Sequence, residues 1–197
     1  MKFYIEFVSD KKGRGDFFMK PIAKKGITIG SLVLLDQVIK VIIRSYHFDK
    51  SFQILGEVFV FKPKVNTNQS YIGNYVNIFS YPWFAILINT LVIILAYCVY
   101  QYYRSCAKRE GAVPKTVYVL LLSGALSSLI DKLFFGGSLD YILLFDWFIF
   151  DLKDCYISAA EVLFVFAVIR NYKIIQKVRI RDIAAFCSHK WRKSNVE

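Results

Sequence analysis

Long apolar runs, separated by short polar and basic stretches, dominate the chain. The clearest is 82–103 (PWFAILINTLVIILAYCVYQYY), which carries no charge. A helix needs roughly 20 mostly apolar residues to cross a bilayer, so this run predicts a span. Trp83 at one end and Tyr100, Tyr102 and Tyr103 at the other suit the two aromatic belts of a membrane. Three further spans are predicted at 27–46, 113–134 and 154–172, each carrying ionisable residues. The first holds Asp36, Lys40 and Arg44, the third Lys115, Asp131 and Lys132, and the fourth Asp154 and Glu161. The loop 47–81 is too polar in its second half to span. Its β-branched and aromatic stretch at 57–61 predicts short strands on the membrane surface.

Composition agrees with a membrane chain. Of the 197 residues, 56% are hydrophobic and 21% charged, with a net charge of +11. Such apolar content excludes disorder. The basic residues flank apolar segments, so anionic lipid explains them better than nucleic acid. Segments 1–26, 104–115 and 170–197 hold 19 of the 26 Lys and Arg residues. By the positive-inside rule both termini lie in the cytoplasm. The expected organisation is a basic N-terminal extension (1–26), a four-helix domain (27–172) and a basic tail (173–197). The apolar start of the extension is too short for a secretory signal. The tail, with Ile174, Ile175, Val178, Phe186 and Trp191 among basic residues, predicts either a surface-lying amphipathic helix or a solvated basic segment.

The four cysteines form no CxxC pair, and a lone Cys187–His189 neighbour is too little for a metal or nucleophile set, so zinc sites and Cys–His catalysis are not expected. No metal, nucleotide or redox cofactor is implied.

Charged groups inside spans are costly and usually mark function. Asp36 and Lys40 are four apart, on one helix face, with Gln37 between them. A plain internal ion pair would account for them equally well. Asp131, Asp140 and Asp154 fall together at the outer membrane boundary in the topology above. Asp154 could serve as the N-cap of the fourth helix, and Asp131 could pair with Lys132 or Lys153. Asp140, set among Leu139, Tyr141, Ile142 and Leu143, has the weakest structural explanation. Two carboxylates brought together share one proton, which gives a general base and a general acid able to activate water against an amide. Glu161 lies two turns beyond Asp154 and is expected to pair with Lys40.

The order of these residues resembles lipoprotein signal peptidase, or signal peptidase II, an aspartic intramembrane enzyme. Asp36–Lys40 is similar to the family's D-Q-x-x-K, and Asn66–Tyr71 stands where the family has N-x-G-A-A-F, with the first Asn kept. Gly124–Lys132 (GALSSLIDK) resembles G-A-L-G-N-x-x-D-R, Gly137–Ile142 (GSLDYI) resembles G-x-V-V-D-F-I, and Phe150–Asp154 (FDLKD) resembles F-N-x-A-D. The resemblance implies four transmembrane helices, a small extracytoplasmic β-cradle and a short amphipathic surface helix. It implies a catalytic dyad of Asp140 and Asp154. Asp36, Gln37, Lys40, Asn66, Ser128, Asp131, Lys132 and Asp151 are then support or substrate-binding candidates. The implied reaction removes signal peptides from diacylglyceryl-modified prolipoproteins, before the lipidated cysteine, at the outer face of the bacterial cell membrane. The expected partners are prolipoprotein signal peptides and membrane lipids, with no nucleic acid, and the protein is expected to be a monomer. Several positions depart from the family pattern. Ser128 stands for Asn, Lys132 for Arg, Asp151 for Asn, and Lys153 for a small residue. A lysine lacks the bidentate fork of a guanidinium. A non-catalytic lipoprotein-binding relative and a small ion or proton transport subunit are the competing classes.

Overall fold

The computed structural model describes residues 15–66, 82–107, 110–170, 182–183 and 185–186, with side chains from residue 23 onward other than that of Pro82. The chain is mainly helical, with one small antiparallel sheet. Helix α1 (Gly15–Ile42) runs on into a π-helical turn, Ile43–His47. Strands β1 (Phe52–Leu55) and β2 (Phe59–Asn66) follow, then α2 (Pro82–Cys106) and α3 (Ala112–Phe135). Strands β3 (Ser138–Leu144) and β4 (Phe148–Phe150) precede α4 (Leu152–Arg170). The sheet order is β1-β2-β3-β4, every neighbour antiparallel.

Three stretches are long and apolar enough to cross a membrane by length and composition: Ala23–His47, Trp83–Cys106 and Ala112–Phe135. At 1.5 Å per residue, α2 and α3 are each about 36 Å long, against a hydrocarbon core of about 30 Å. The fourth helix is shorter, 19 residues, and carries Lys153, Asp154, Glu161 and Arg170. Exposure is inverted relative to a water-soluble bundle. Large apolar side chains such as Leu34, Leu91, Leu95, Val162 and Phe166 point outward, while Asp36, Lys40, Asp131, Ser123 and Ser127 are buried. That pattern suits lipid as the solvent, where polar side chains turn to the bundle interior.

The helix starts and stops have local causes. Pro82 opens α2, where its missing N–H costs nothing. Gly136 ends α3 in the left-handed conformation (φ 66°), which glycine adopts freely, and turns the chain directly into β3. Helix α3 is central and packs on α1, α2 and α4. Its face toward α4 carries Gly124 at the closest approach. A Cβ on Gly124 would lie 2.5 Å from Ile157 Cγ1 and 3.1 Å from the Lys153 carbonyl. Small residues of this kind let helices approach closely in a bilayer.

The sheet lies at the end of the bundle where α3 stops. Leu139 and Tyr141 of β3 pack with Phe61 and Ile43 into a small apolar core joined by Ile39, Val65 and Ile142. Because strand side chains alternate, Ser138 and Asp140 face the other way. Register pairs Asn66 with Ser138 and Lys64 with Asp140. The strand expected at 57–61 is therefore β2, beginning later at Phe59, with Gly56 (φ 53°) in the turn before it. The amphipathic surface helix expected in the outer loop, and nearly all of the basic tail, lie outside the described residues. Of the tail, Phe186 is described and packs edge-on against Tyr102.

Candidate active site

Four separate elements deliver ionisable side chains to one end of the bundle. From α1 come Asp36, Gln37 and Lys40, and from α3 comes Asp131. Strand β3 supplies Ser138 and Asp140. The β4–α4 junction brings Asp151, Lys153 and Asp154. All are buried except Gln37 and Ser138, which are half-buried, and Asp154, whose side chain is 35% exposed.

Lys40 anchors the deeper half. Its Nζ lies 2.8 Å from Asp36 Oδ2, 2.6 Å from Asp131 Oδ2 and 2.7 Å from Asp151 Oδ2. Gln37 Nε2 donates to Asp131 Oδ1 (3.0 Å) and to Asp36 Oδ2 (3.2 Å). Lys153 organises the outer half. Its Nζ donates to Asp151 Oδ2 and to Ser138 Oγ, both at 2.6 Å. The Ser138 hydroxyl lies 2.9 Å from Asp140 Oδ1, and Asn66 Nδ2 donates to Asp140 Oδ2 at 3.1 Å.

Asp151 and Asp154 start α4 together. The Asp154 N–H donates to Asp151 Oδ1, and the Asp151 N–H donates to Asp154 Oδ2, both at 3.2 Å. This reciprocal capping box makes Asp151 the N-cap, a correction to the expectation that Asp154 fills that position. Burial pushes the Asp151 carboxyl up, but the ammonium groups of Lys153 and Lys40 outweigh it and hold the group below the ordinary carboxylate range.

One carboxylate oxygen from each of Asp140, Asp151 and Asp154 lies within 4.8 Å of the others. Three such oxygens could hold a divalent cation, but the Lys153 ammonium is already among them, 2.6 to 3.6 Å from each residue. Its positive charge opposes a metal there. Among the described residues, five carboxylates face the ammonium groups of Lys40 and Lys153, with Lys132 within electrostatic reach, so full ionisation leaves a surplus of negative charge, which a shared proton relieves.

The family model described as Signal peptidase (SPase) II matches residues 28–170. The chain belongs to the signal peptidase II family. A lipoprotein signal peptidase of Mesorhizobium japonicum is 32% identical over 84 residues, 41% of this chain and 49% of that relative. The chain thus matches about half the length of this curated relative. Two solved structures described as bacterial membrane enzymes share the fold. One has a TM-score of 0.64 at 20% identity, the other 0.59 at 18%. They cover 81% and 76% of this chain, and 95% of each solved chain is matched. Family and apolar helices together make this a multi-pass membrane protein.

The structure brings Asp36, Gln37, Lys40, Asn66, Asp131, Asp140, Asp151 and Asp154 into one cluster. Ser128 and Lys132 are bonded to each other within α3 rather than to the cluster, although Lys132 lies within electrostatic reach of Asp131, Asp154, Lys40 and Lys153. Asp131 accordingly does not pair with Lys132; it pairs closely with Lys40 (2.6 Å) and, at longer range, with Lys153 (3.9 Å), the other partner expected for it. The expected Glu161–Lys40 pair is also absent. Glu161 is exposed, and among the described residues nothing bonds to it. Lys40 is instead consumed by three aspartates. Tyr100, expected in an aromatic belt, is buried and stacks on Tyr118 with ring centroids 3.8 Å apart.

Sequence reasoning missed two features. Lys153, weighed as a partner for Asp131 and as a stand-in for a small residue, sits at the centre of the outer cluster. At the opposite end of α2, buried Lys25 bonds to Tyr100 (2.7 Å) and to Glu110. The only sequence signal for either was a lysine or glutamate beside an apolar span, with no local partner in spacing.

Proposed function

We propose that this chain is an intramembrane aspartic endopeptidase that removes signal peptides from diacylglyceryl-modified prolipoproteins, cutting before the lipidated cysteine. The observation that carries this reading is the approach of Asp140 and Asp154, from a strand and a helix, to within 4.8 Å. One water molecule can bridge carboxylates at that separation. Family membership and the likeness to a lipoprotein signal peptidase support the reaction class.

In this mechanism the dyad shares one proton. Asp140 is surrounded by donors, with Asn66 on one oxygen and Ser138 on the other, so it acts as the general base. Water attacks the scissile carbonyl carbon and gives its proton to Asp140, while the carbonyl π pair moves onto oxygen. The resulting tetrahedral intermediate breaks its C–N bond as Asp154 protonates the leaving nitrogen. Asp36, Gln37, Lys40, Asp131 and Asp151 hold the frame. Asp154 is the exposed member, which gives a substrate helix access from the side of the bundle.

The basic residues of 1–26, 104–115 and 170–197 support cytoplasmic termini and a site at the outer face of the bacterial cell membrane. That topology makes α4 a fourth span. About 28 Å of helix suffices for it. The protein is read as a monomer. The convergence of the five aspartates on one end of the bundle disfavours an ion path, which needs acidic groups distributed through the depth.

The test is incubation of the purified protein with a prolipoprotein carrying a diacylglyceryl cysteine, followed by mass spectrometry. The expected product begins at the lipidated cysteine. An intact substrate, or cutting at another bond, would refute the reading.

A further inference from the structure

Lys153 stands where the family pattern F-N-x-A-D has a small residue, and Asp151 where it has Asn. The two changes fit together in space. Asp151 Oδ2 lies 2.6 Å from Lys153 Nζ, and Lys40 holds the same carboxylate from the other side at 2.7 Å. Charge compensation would explain a lysine here, but it does not explain where the ammonium points.

An ammonium has three N–H donors, and good N–H···O bonds run from about 2.7 to 3.2 Å, slightly shorter when charged. Two of the Lys153 donors are taken at bonding distance, by Asp151 Oδ2 and Ser138 Oγ. The remaining oxygens nearby are Asp140 Oδ1 at 3.5 Å, Asp154 Oδ1 at 3.6 Å and Asp131 Oδ2 at 3.9 Å. All three are too long for a bond. Among the described residues Lys153 therefore keeps one donor without an acceptor at bonding distance, almost equidistant from the two dyad oxygens between which a scissile carbonyl would sit.

We propose that Lys153 is a catalytic residue that donates this N–H to the carbonyl oxygen of the scissile amide. The proposal rests on the peptidase reading above and adds an oxyanion donor to it. As water adds to the carbonyl carbon, its proton passes to Asp140 and the π electron pair settles on the carbonyl oxygen. The Lys153 ammonium, only 5% exposed, stabilises that developing charge where water cannot screen it. The oxygen gives the pair back when the C–N bond breaks and Asp154 delivers its proton to nitrogen. Lys153 keeps its own protons throughout. Asp151 is a positioning residue that holds the ammonium through the ion pair.

The experiment separates catalysis from charge balance with two variants, K153M and the double variant D151N/K153A. The double variant replaces the charged pair by the neutral residue types of the family pattern. Each is purified, its folding is confirmed by thermal unfolding in detergent, and kcat and KM are measured on diacylglyceryl prolipoprotein. Loss of one oxyanion donor typically lowers kcat about 100-fold or more. The double variant is expected to fold, with KM within about twofold of wild type and kcat down by about that factor. A folded double variant with wild-type kcat would overturn the proposal, because Lys153 would then only neutralise Asp151. Failure of the peptidase reading itself looks different: wild-type protein leaves the substrate intact, or D154N cleaves it as wild type does.

Discussion

Lys40 is the residue whose removal the structure makes most costly. It is 2% exposed, and its Nζ lies within 2.8 Å of oxygens from Asp36, Asp131 and Asp151. Lys40→Met keeps a long unbranched stem and deletes only the ammonium. Among the described residues, Asp36, Asp131 and Asp151 would then keep between them only Lys153 within ion-pair distance. Breaking a buried ion pair by removing one partner costs about 3–5 kcal/mol, because the other charge stays buried. The carboxylates can escape part of that cost by taking up protons, so the loss must shrink as pH falls. The assay is reversible unfolding in mixed micelles, followed by circular dichroism at pH 7.5 and pH 5. The expected loss is about 3–5 kcal/mol at the higher pH and clearly less at the lower. A loss below about 1 kcal/mol, or an equal loss at both pH values, would refute the assignment of Lys40 as keystone of the network.

Three further expectations follow from particular residues. Gly124→Ala places a methyl 2.5 Å from Ile157 Cγ1 and 3.1 Å from the Lys153 carbonyl, so it should cost about 1–3 kcal/mol and lower peptidase kcat by shifting α4; unchanged melting would contradict the close approach of α3 and α4. The Asp151 carboxyl sits below its ordinary range, so its ion pairs stabilise the fold above about pH 4 and lose that effect as pH falls through the lowered value. An acid titration of stability should show this limb in wild type and a flatter one in Asp151→Asn, and identical limbs would count against it. Glu161 is exposed on α4 and unpaired among the described residues, so Glu161→Leu should leave thermal stability in detergent unchanged or raised; a fall of several degrees would reveal a partner.

The spans were legible because a helix in lipid needs no polar face: 82–103 and 113–134 differ from α2 and α3 by at most three residues at either end. The first helix was harder. It starts at Gly15, twelve residues before the expected 27, because helical geometry continues past the apolar stretch into basic sequence. The hairpin of β3 and β4 was not legible at all. Residues 141–150 are apolar apart from Asp146 and show no clear alternation, and the turn between the strands uses Phe145 and Asp146 at positive φ rather than glycine. Such a run cannot be told from a buried helix by periodicity.

The candidate site was legible as a set of residues but not as a network. Asp36 and Lys40 announced each other through their spacing of four. The meeting of Lys40 with Asp131 and Asp151, 91 and 111 positions away, depends on how α1, α3 and the α4 N-terminus pack. Asp151 and Asp154 carried a cap-like spacing of three, and only the backbone shows which of them is the cap. Glu161 was expected to find Lys40 on grounds of cost alone, and that failed because three nearer aspartates had already satisfied the ammonium.

The central claim is that Asp140 and Asp154 together carry out the cleavage. Its most direct test is the rate of prolipoprotein cleavage by purified Asp140→Asn and Asp154→Asn, each shown to be folded, beside wild type. Cleavage before the lipidated cysteine by wild type, with loss of turnover in both variants, is the predicted result. Near wild-type turnover in either folded variant would contradict the dyad.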